Sequence, residues 1–199
     1  YSAIDPDDKK SDHISLEDGI RNCVAGYKKI VGYAEKRKVT LALEMLNTRD
    51  ASHPMKGHPG YQGDDLDFCI EAIKQVGSSS LKLLFDIYHV QIMHGDLIRN
   101  IGKLKEYIGH YHTAGNPGRG ELDDTQEINY PAVMRAILAN GFDGFVAQAE
   151  IVVPDSQAKQ GQHRHQYSSG LPVLKNGLDH SGLPGSACRR LTKATRVCS

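Results

Sequence analysis

Two hydrophobic periods alternate between residues 15 and 150. Ile20, Val24, Tyr27, Val31 and Ala34 recur every three or four positions, which predicts a helix to about Arg37. Ser15, with Asp18 three residues on, supplies an N-cap and a short-acid form of the capping box. The period then gives way to a short apolar run, Val39–Leu43, as in a buried strand. His53-Pro54 and His58-Pro59-Gly60 break any period and mark a loop. Leu66, Ile70, Ile73 and Val76 predict the next helix, which Gly77 closes. Leu81–Phe85 is a second strand; Leu97, Ile98, Ile101 and Leu104 mark a helix; Ile108–Thr113 is a third strand. Tyr130–Ala139 reads as a helix with Pro131 in its first turn and Asn140-Gly141 as its stop, and Phe145–Gln148 as a fourth strand. Strands separated by helices imply right-handed crossovers and a parallel sheet. The fold class is α/β, and this pattern alone fits a doubly wound sheet as well as a (β/α)8 barrel.

The polar residues at the strand ends bear on that choice. Glu44 follows the first run, Asp86 the second, His112 lies at the end of the third and Glu150 just beyond the fourth, at intervals of 42, 26 and 38 residues. Each interval is about one βα unit. In a barrel the carboxyl ends of all strands converge on one mouth. A single acid after a strand is ordinarily a helix cap. Four such positions in consecutive units predict a shared site instead, and three carboxylates with one imidazole would repel unless a divalent cation neutralised them. Oxygen-dominated ligation with one nitrogen suits Mn²⁺, Mg²⁺ or Co²⁺. His94 reads as an ordinary surface or core histidine.

Composition changes the picture at the ends. The 199 residues carry 24 Lys+Arg against 24 Asp+Glu, a net charge of zero. That balance hides an asymmetry. Residues 151–199 hold seven basic residues and two acids, hence +5, which leaves −5 for residues 1–150. The later segment is rich in Gly, Ser, Gln, His and Pro without apolar period, and reads as a poorly structured basic tail. Ser2–Asp12 reads as a polar loop. An acidic main segment predicts no nucleic-acid partner, and no run approaches the roughly 18 apolar residues of a membrane span. Four cysteines (Cys23, Cys69, Cys188 and Cys198) in no CxxC spacing predict neither a disulfide scaffold nor a structural zinc site. A soluble, cytoplasmic protein is the expectation.

At the strand ends the chain resembles hydroxypyruvate isomerases of the xylose-isomerase-like barrel superfamily, which also holds ketose 3-epimerases. The resemblance lies in Leu43-Glu44-Met45-Leu46-Asn47-Thr48-Arg49-Asp50, in Phe85-Asp86-Ile87-Tyr88-His89-Val90-Gln91-Ile92-Met93, in Gly109-His110-Tyr111-His112 running to Asn116-Pro117-Gly118-Arg119, and in Glu127-Ile128-Asn129-Tyr130-Pro131. It covers roughly residues 1–150. It implies that Glu44, Asp86 and His112 are metal ligands at the ends of the fifth, sixth and seventh strands, and that Glu44 also shuttles a proton. His89 and Arg119 match groups that hold substrate oxygens, and Asp50 matches a further substrate-contacting acid. The implied reaction is isomerisation of a small hydroxycarbonyl compound of the hydroxypyruvate/tartronate semialdehyde type, or of a sugar, through a metal-stabilised enediolate. His112, where hydroxypyruvate isomerases often carry Gln, leans toward the 3-epimerase type.

Three departures accompany the resemblance. The region matches the last four strands of a barrel of about 250 residues, so the expected domain is a partial barrel with two open sheet edges, which favours pairing with a second copy. At the eighth strand the family pattern puts the second catalytic Glu at position 149; this chain has Ala149, with Glu150 one place later. A one-residue slip turns a strand side chain to the opposite face. Residues 151–199 leave the family pattern altogether, as a reading-frame change near codon 148 would produce. The rivals are a 3-epimerase, an inactive fragment, and an abasic-site endonuclease of the same superfamily, which the −5 charge disfavours.

Overall fold

A computed structural model describes residues 14–150; the polar loop and basic tail read from the sequence lie outside them. The elements run α1 (Leu16–Arg37), β1 (Leu41–Glu44), α2 (Leu66–Val76), β2 (Leu81–Asp86), α3 (Ile87–Met93), α4 (Leu97–Leu104), β3 (Ile108–Thr113), α5 (Tyr130–Ala139) and β4 (Phe145–Gln148).

Local chemistry sets the boundaries. The Ser15 hydroxyl accepts the Asp18 N–H at 3.0 Å to start α1. Asp65 caps α2 through Phe68 N–H, and Gly77 ends it in the left-handed conformation. Val39, expected in β1, belongs to the stop of α1. Lys38 takes φ +55° there, and the Val39 N–H returns to Ala34 O at 2.9 Å. That leaves Val39 exposed, and the strand starts two residues later.

The four strands are all parallel and lie in the order β1-β2-β3-β4. A doubly wound sheet reverses its strand order at a switch point; this sheet does not, as expected of successive units of a barrel. Leu43, Leu81, Leu83 and Phe85 pack with Ile73 and Ile101 in the core between sheet and helices, each buried side chain contributing about 1.5–3 kcal/mol.

Register fixes what occupies the other face. Paired residues of parallel strands share a face, and alternate residues return to it. Glu44 pairs with Leu84, Asp86 with His112, and His112 with Ala147. Glu44, Leu84, Asp86, His112 and Ala147 therefore share the face turned away from the helices. A register shift between Leu83 and Leu84, opposite Gly109, keeps β3 in step. A Cβ at Gly109 would meet Lys82 Cβ at 2.6 Å, so the shift needs glycine there.

Candidate active site

Asp86 is the pivot of the site. It ends β2 and is also the N-cap of α3: Oδ1 accepts the N–H groups of Tyr88 at 2.9 Å and His89 at 3.3 Å. One oxygen thus caps the helix and leaves the other free to face the candidate site. Oδ2 is buried, makes no hydrogen bond, and faces several polar groups. It lies 3.7 Å from His112 Nδ1, 3.5 Å from Arg119 Nη2 and 3.8 Å from His89 Nε2. Glu44 Oε1 completes the group, 3.3 Å from His112 Nδ1. Glu44 Oε1, Asp86 Oδ2, His112 Nδ1 and His89 Nε2 are all buried without a hydrogen-bond partner. Such a concentration of orphaned polar atoms is costly unless a ligand satisfies them.

The electrostatics agree. Burial works against charge on Asp86, but His112, His89 and Arg119 outweigh it and hold the carboxyl below its ordinary value. Burial alone would lower His112; its contacts with Asp86 and Glu44 reverse this and raise it to about 9. The ring lies between the two carboxylates, 3.3 Å from Glu44 Oε1 and 3.7 Å from Asp86 Oδ2. His89, wholly buried, is pushed down to about 4 by desolvation. Its Nδ1 faces Asn47, from which the main-chain N and side-chain Nδ2 approach to 3.1 and 2.7 Å.

Glu44, Asp86 and His89 each offer a ligand atom within 4.8 Å of one another. His112 stands against the same two carboxylates, so four of the seven residues singled out from the sequence gather around Glu44 and Asp86. Arg119 joins them from the loop after β3. It sits at φ +58°, a conformation costly for a side-chain-bearing residue; its Nε donates to Ala149 O at 2.9 Å and its Nη1 to Met55 O. Its guanidinium lies 5.7 Å from the centre of the Tyr88 ring.

Asp50 and Glu150 have other partners. Asp50 Oδ1 accepts Ser52 N–H and Oγ–H in a local turn, which holds its carboxyl low, and Oδ2 lies 3.3 Å from the Tyr88 hydroxyl. Glu150 accepts from Gln148 Nε2 and lies against Glu121; burial and that neighbour raise its pKa. The Ala149 N–H still pairs with Thr113 O at 2.8 Å, so the ladder runs one residue beyond β4. Ala149 therefore keeps the face of Ala147 and His112, and Glu150 that of Gln148. His94 accepts the Leu66 N–H at 3.3 Å at the start of α2, an ordinary structural role.

Sequence reasoning passed over two residues here. Asn47 is fully buried against His89. His58, which the sequence presents only as part of a breaker, is half-buried with its ring 5.9 Å from that of His89, and burial and the Arg119 charge lower its pKa. It belongs to a loop that returns over the site, a cue that spacing along the chain does not carry.

Comparison with known proteins bears on this arrangement. The chain is 35% identical over 132 residues to 2-oxo-tetronate isomerase of Cupriavidus necator, covering 62% of this chain and 46% of that protein. It is 33% identical over 111 residues to hydroxypyruvate isomerase of Escherichia coli, covering 56% of this chain and 40% of that one. The chain thus spans less than half the length of these relatives. A crystal structure described as AP endonuclease, family 2, from Brucella melitensis superposes with a TM-score of 0.62 at 26% identity, over 69% of this chain and 50% of that one. Residues 6–176 match the model of the xylose isomerase-like TIM barrel, and the chain belongs to that family.

Proposed function

We propose that this chain carries the site of an isomerase of small α-hydroxycarbonyl compounds, hydroxypyruvate being the substrate tested first. The observation that supports this most is the convergence of Glu44 Oε1, Asp86 Oδ2 and His112 Nδ1, all buried and unpartnered, on one face of the sheet. Two carboxylate oxygens and an imidazole nitrogen suit a hard or borderline divalent ion such as Mn²⁺, Mg²⁺ or Co²⁺. Glu44, Asp86 and His112 would hold it. The chemistry supplied by such an ion, when bound, is Lewis-acid stabilisation of negative charge on neighbouring substrate oxygens.

The chain's own residues account for the rest. Isomerisation removes a proton from the carbon beside a carbonyl and returns one to the neighbouring carbon. Asp86 is wholly buried with one oxygen engaged in capping α3, so it is poorly placed to reach a substrate carbon as that base. Glu44 is the better base: its side chain is 29% exposed, so a substrate carbon can reach it. Glu150 faces Gln148, so Glu44 would serve both proton transfers from one side of the substrate. His89 is neutral and directs Nε2 toward the same point, where it can donate to a substrate oxygen. Arg119, braced by two main-chain carbonyls, places a fixed positive charge there for a substrate carboxylate.

The test is to follow the full chain with hydroxypyruvate and Mn²⁺ in D₂O by proton NMR. Formation of tartronate semialdehyde with deuterium incorporated on carbon supports the proposal, and faster turnover of a free ketohexose than of hydroxypyruvate would transfer it to a 3-epimerase. Neither reaction under metal-replete conditions would overturn it.

A further inference from the structure

The β1–α2 loop closes over His89 through one residue. Asn47 is 0% exposed, and every polar atom of its amide and main chain has a partner. Its Oδ1 accepts the Asp50 N–H at 3.0 Å, and its Nδ2 donates to Lys56 O at 2.7 Å. A main-chain carbonyl can only accept and a main-chain N–H can only donate, so these two bonds fix which end of the amide is which. The remaining Nδ2 hydrogen points at His89 Nδ1, 2.7 Å away, and the Asn47 main-chain N–H reaches the same nitrogen at 3.1 Å. The loop holds this amide in place. Asn47 O accepts the His58 N–H at 2.7 Å, and Tyr88 Oη donates to Lys56 O at 3.0 Å. Gly57 packs so closely that a Cβ there would meet Asp50 O at 2.2 Å and Asn47 Oδ1 at 2.6 Å.

Two N–H donors aimed at one ring nitrogen leave it no room for a proton of its own. We infer that Asn47 is a positioning residue that fixes His89 as the tautomer protonated on Nε2, making it a hydrogen-bond donor into the site and barring it from ligating a metal. His89 Nε2 is the buried, unpartnered atom 3.8 Å from Asp86 Oδ2. The geometric grouping of His89 with Glu44 and Asp86 then divides by chemistry: the two carboxylates accept, and the imidazole donates. The tautomer follows from the hydrogen bonds alone; its consequence for a substrate oxygen rests on the isomerase reading above.

The two are separable by experiment. The full chain is labelled with ¹⁵N-histidine, and the ring nitrogens are observed by two-bond proton–nitrogen correlation, His89 being assigned by its loss in His89→Gln. The expected wild-type spectrum has His89 protonated on Nε2 with an unprotonated Nδ1, with or without added Mn²⁺. Asn47→Asp puts an acceptor where the amide donor stood, and is expected to draw the proton to Nδ1 and to lower kcat for hydroxypyruvate at least about tenfold. A wild-type His89 protonated on Nδ1 would overturn the inference whether or not any variant folds, as would an unchanged His89 spectrum in a folded Asn47→Asp protein. An Nε2-protonated ring in a protein without isomerase activity supports the role of Asn47 and sinks the isomerase reading instead.

Discussion

Asp86 caps α3 with one oxygen and turns the other toward the proposed metal site, and a pair of substitutions separates the two roles. Asp86→Asn retains one oxygen to cap α3 and puts a neutral amide NH2 in place of the site-facing oxygen. Asp86→Ala removes both. In the structure Oδ1 accepts two buried N–H groups, one at 2.9 Å and one at 3.3 Å. An N-cap contributes about 0.5–2 kcal/mol, and leaving a buried donor unsatisfied costs about 1–3 kcal/mol. Because the second bond is the longer, we expect Asp86→Ala to be less stable than Asp86→Asn by about 1–3 kcal/mol. Both variants lose the charge beside His112 and Arg119 equally, so that cost cancels in the difference. Mn²⁺ affinity behaves otherwise: each variant is expected to lose at least about 100-fold, the upper range seen even when outer partners of a metal ligand are removed. Urea unfolding of the metal-free proteins gives the first quantity and calorimetric Mn²⁺ titration the second. Equal stabilities within about 0.3 kcal/mol would refute the capping role, and wild-type Mn²⁺ binding by Asp86→Asn would remove Asp86 from the ligand set.

Other outcomes follow from the same geometry. Glu44→Gln should lower isomerase turnover at least about 100-fold while leaving the fold intact by circular dichroism. Ala149→Glu, on the His112 face, should tighten Mn²⁺ binding, whereas Glu150→Gln, on the Gln148 face, should leave it unchanged; the reverse result would show that β4 has a different register. In the metal-free site His112 is raised to about 9 by Asp86 and Glu44, and a metal must displace that proton. Mn²⁺ affinity should therefore rise with pH, by up to about tenfold per unit, and level off above pH 9; a flat profile from pH 6 to 9 would exclude His112 as a ligand. Ile101→Ala, in the core between sheet and helices, should cost about 2–5 kcal/mol in urea unfolding.

Much of the scaffold was legible because its signals are local. Ser15, Gly77, Pro131 and Asn140-Gly141 punctuate the chain where the helices start and stop, and α2, α4, α5, β3 and β4 have the extents that periodicity predicts. α3 escaped for a physical reason. Ile87, Tyr88, His89 and Val90 are all buried, so no alternation of apolar and polar positions sets a 3.6-residue period, and the segment between Phe85 and Leu97 carried no periodic element signal. Its one start signal, Asp86, doubles as a site residue. The proximity of Glu44, Asp86 and His112 was legible because a parallel sheet converts spacing along the chain into proximity, and the resemblance to hydroxypyruvate isomerases supplied the roles proposed for Glu44, His89 and Arg119. Asn47 was not legible: its role depends on a loop of nine residues returning Lys56 O to its amide, and on a histidine 42 positions away. The face of Glu150 turned on whether pairing continued past Gln148, which the hydrogen bond from Ala149 to Thr113 answers.

The most direct test is diffraction from crystals of the full chain soaked in Mn²⁺, with data collected at the manganese absorption edge. One anomalous peak within bonding distance of Glu44, Asp86 and His112, with His89 outside the coordination sphere, is the result expected. A peak bonded to His89, or manganese found only elsewhere on the protein, would contradict the proposed centre.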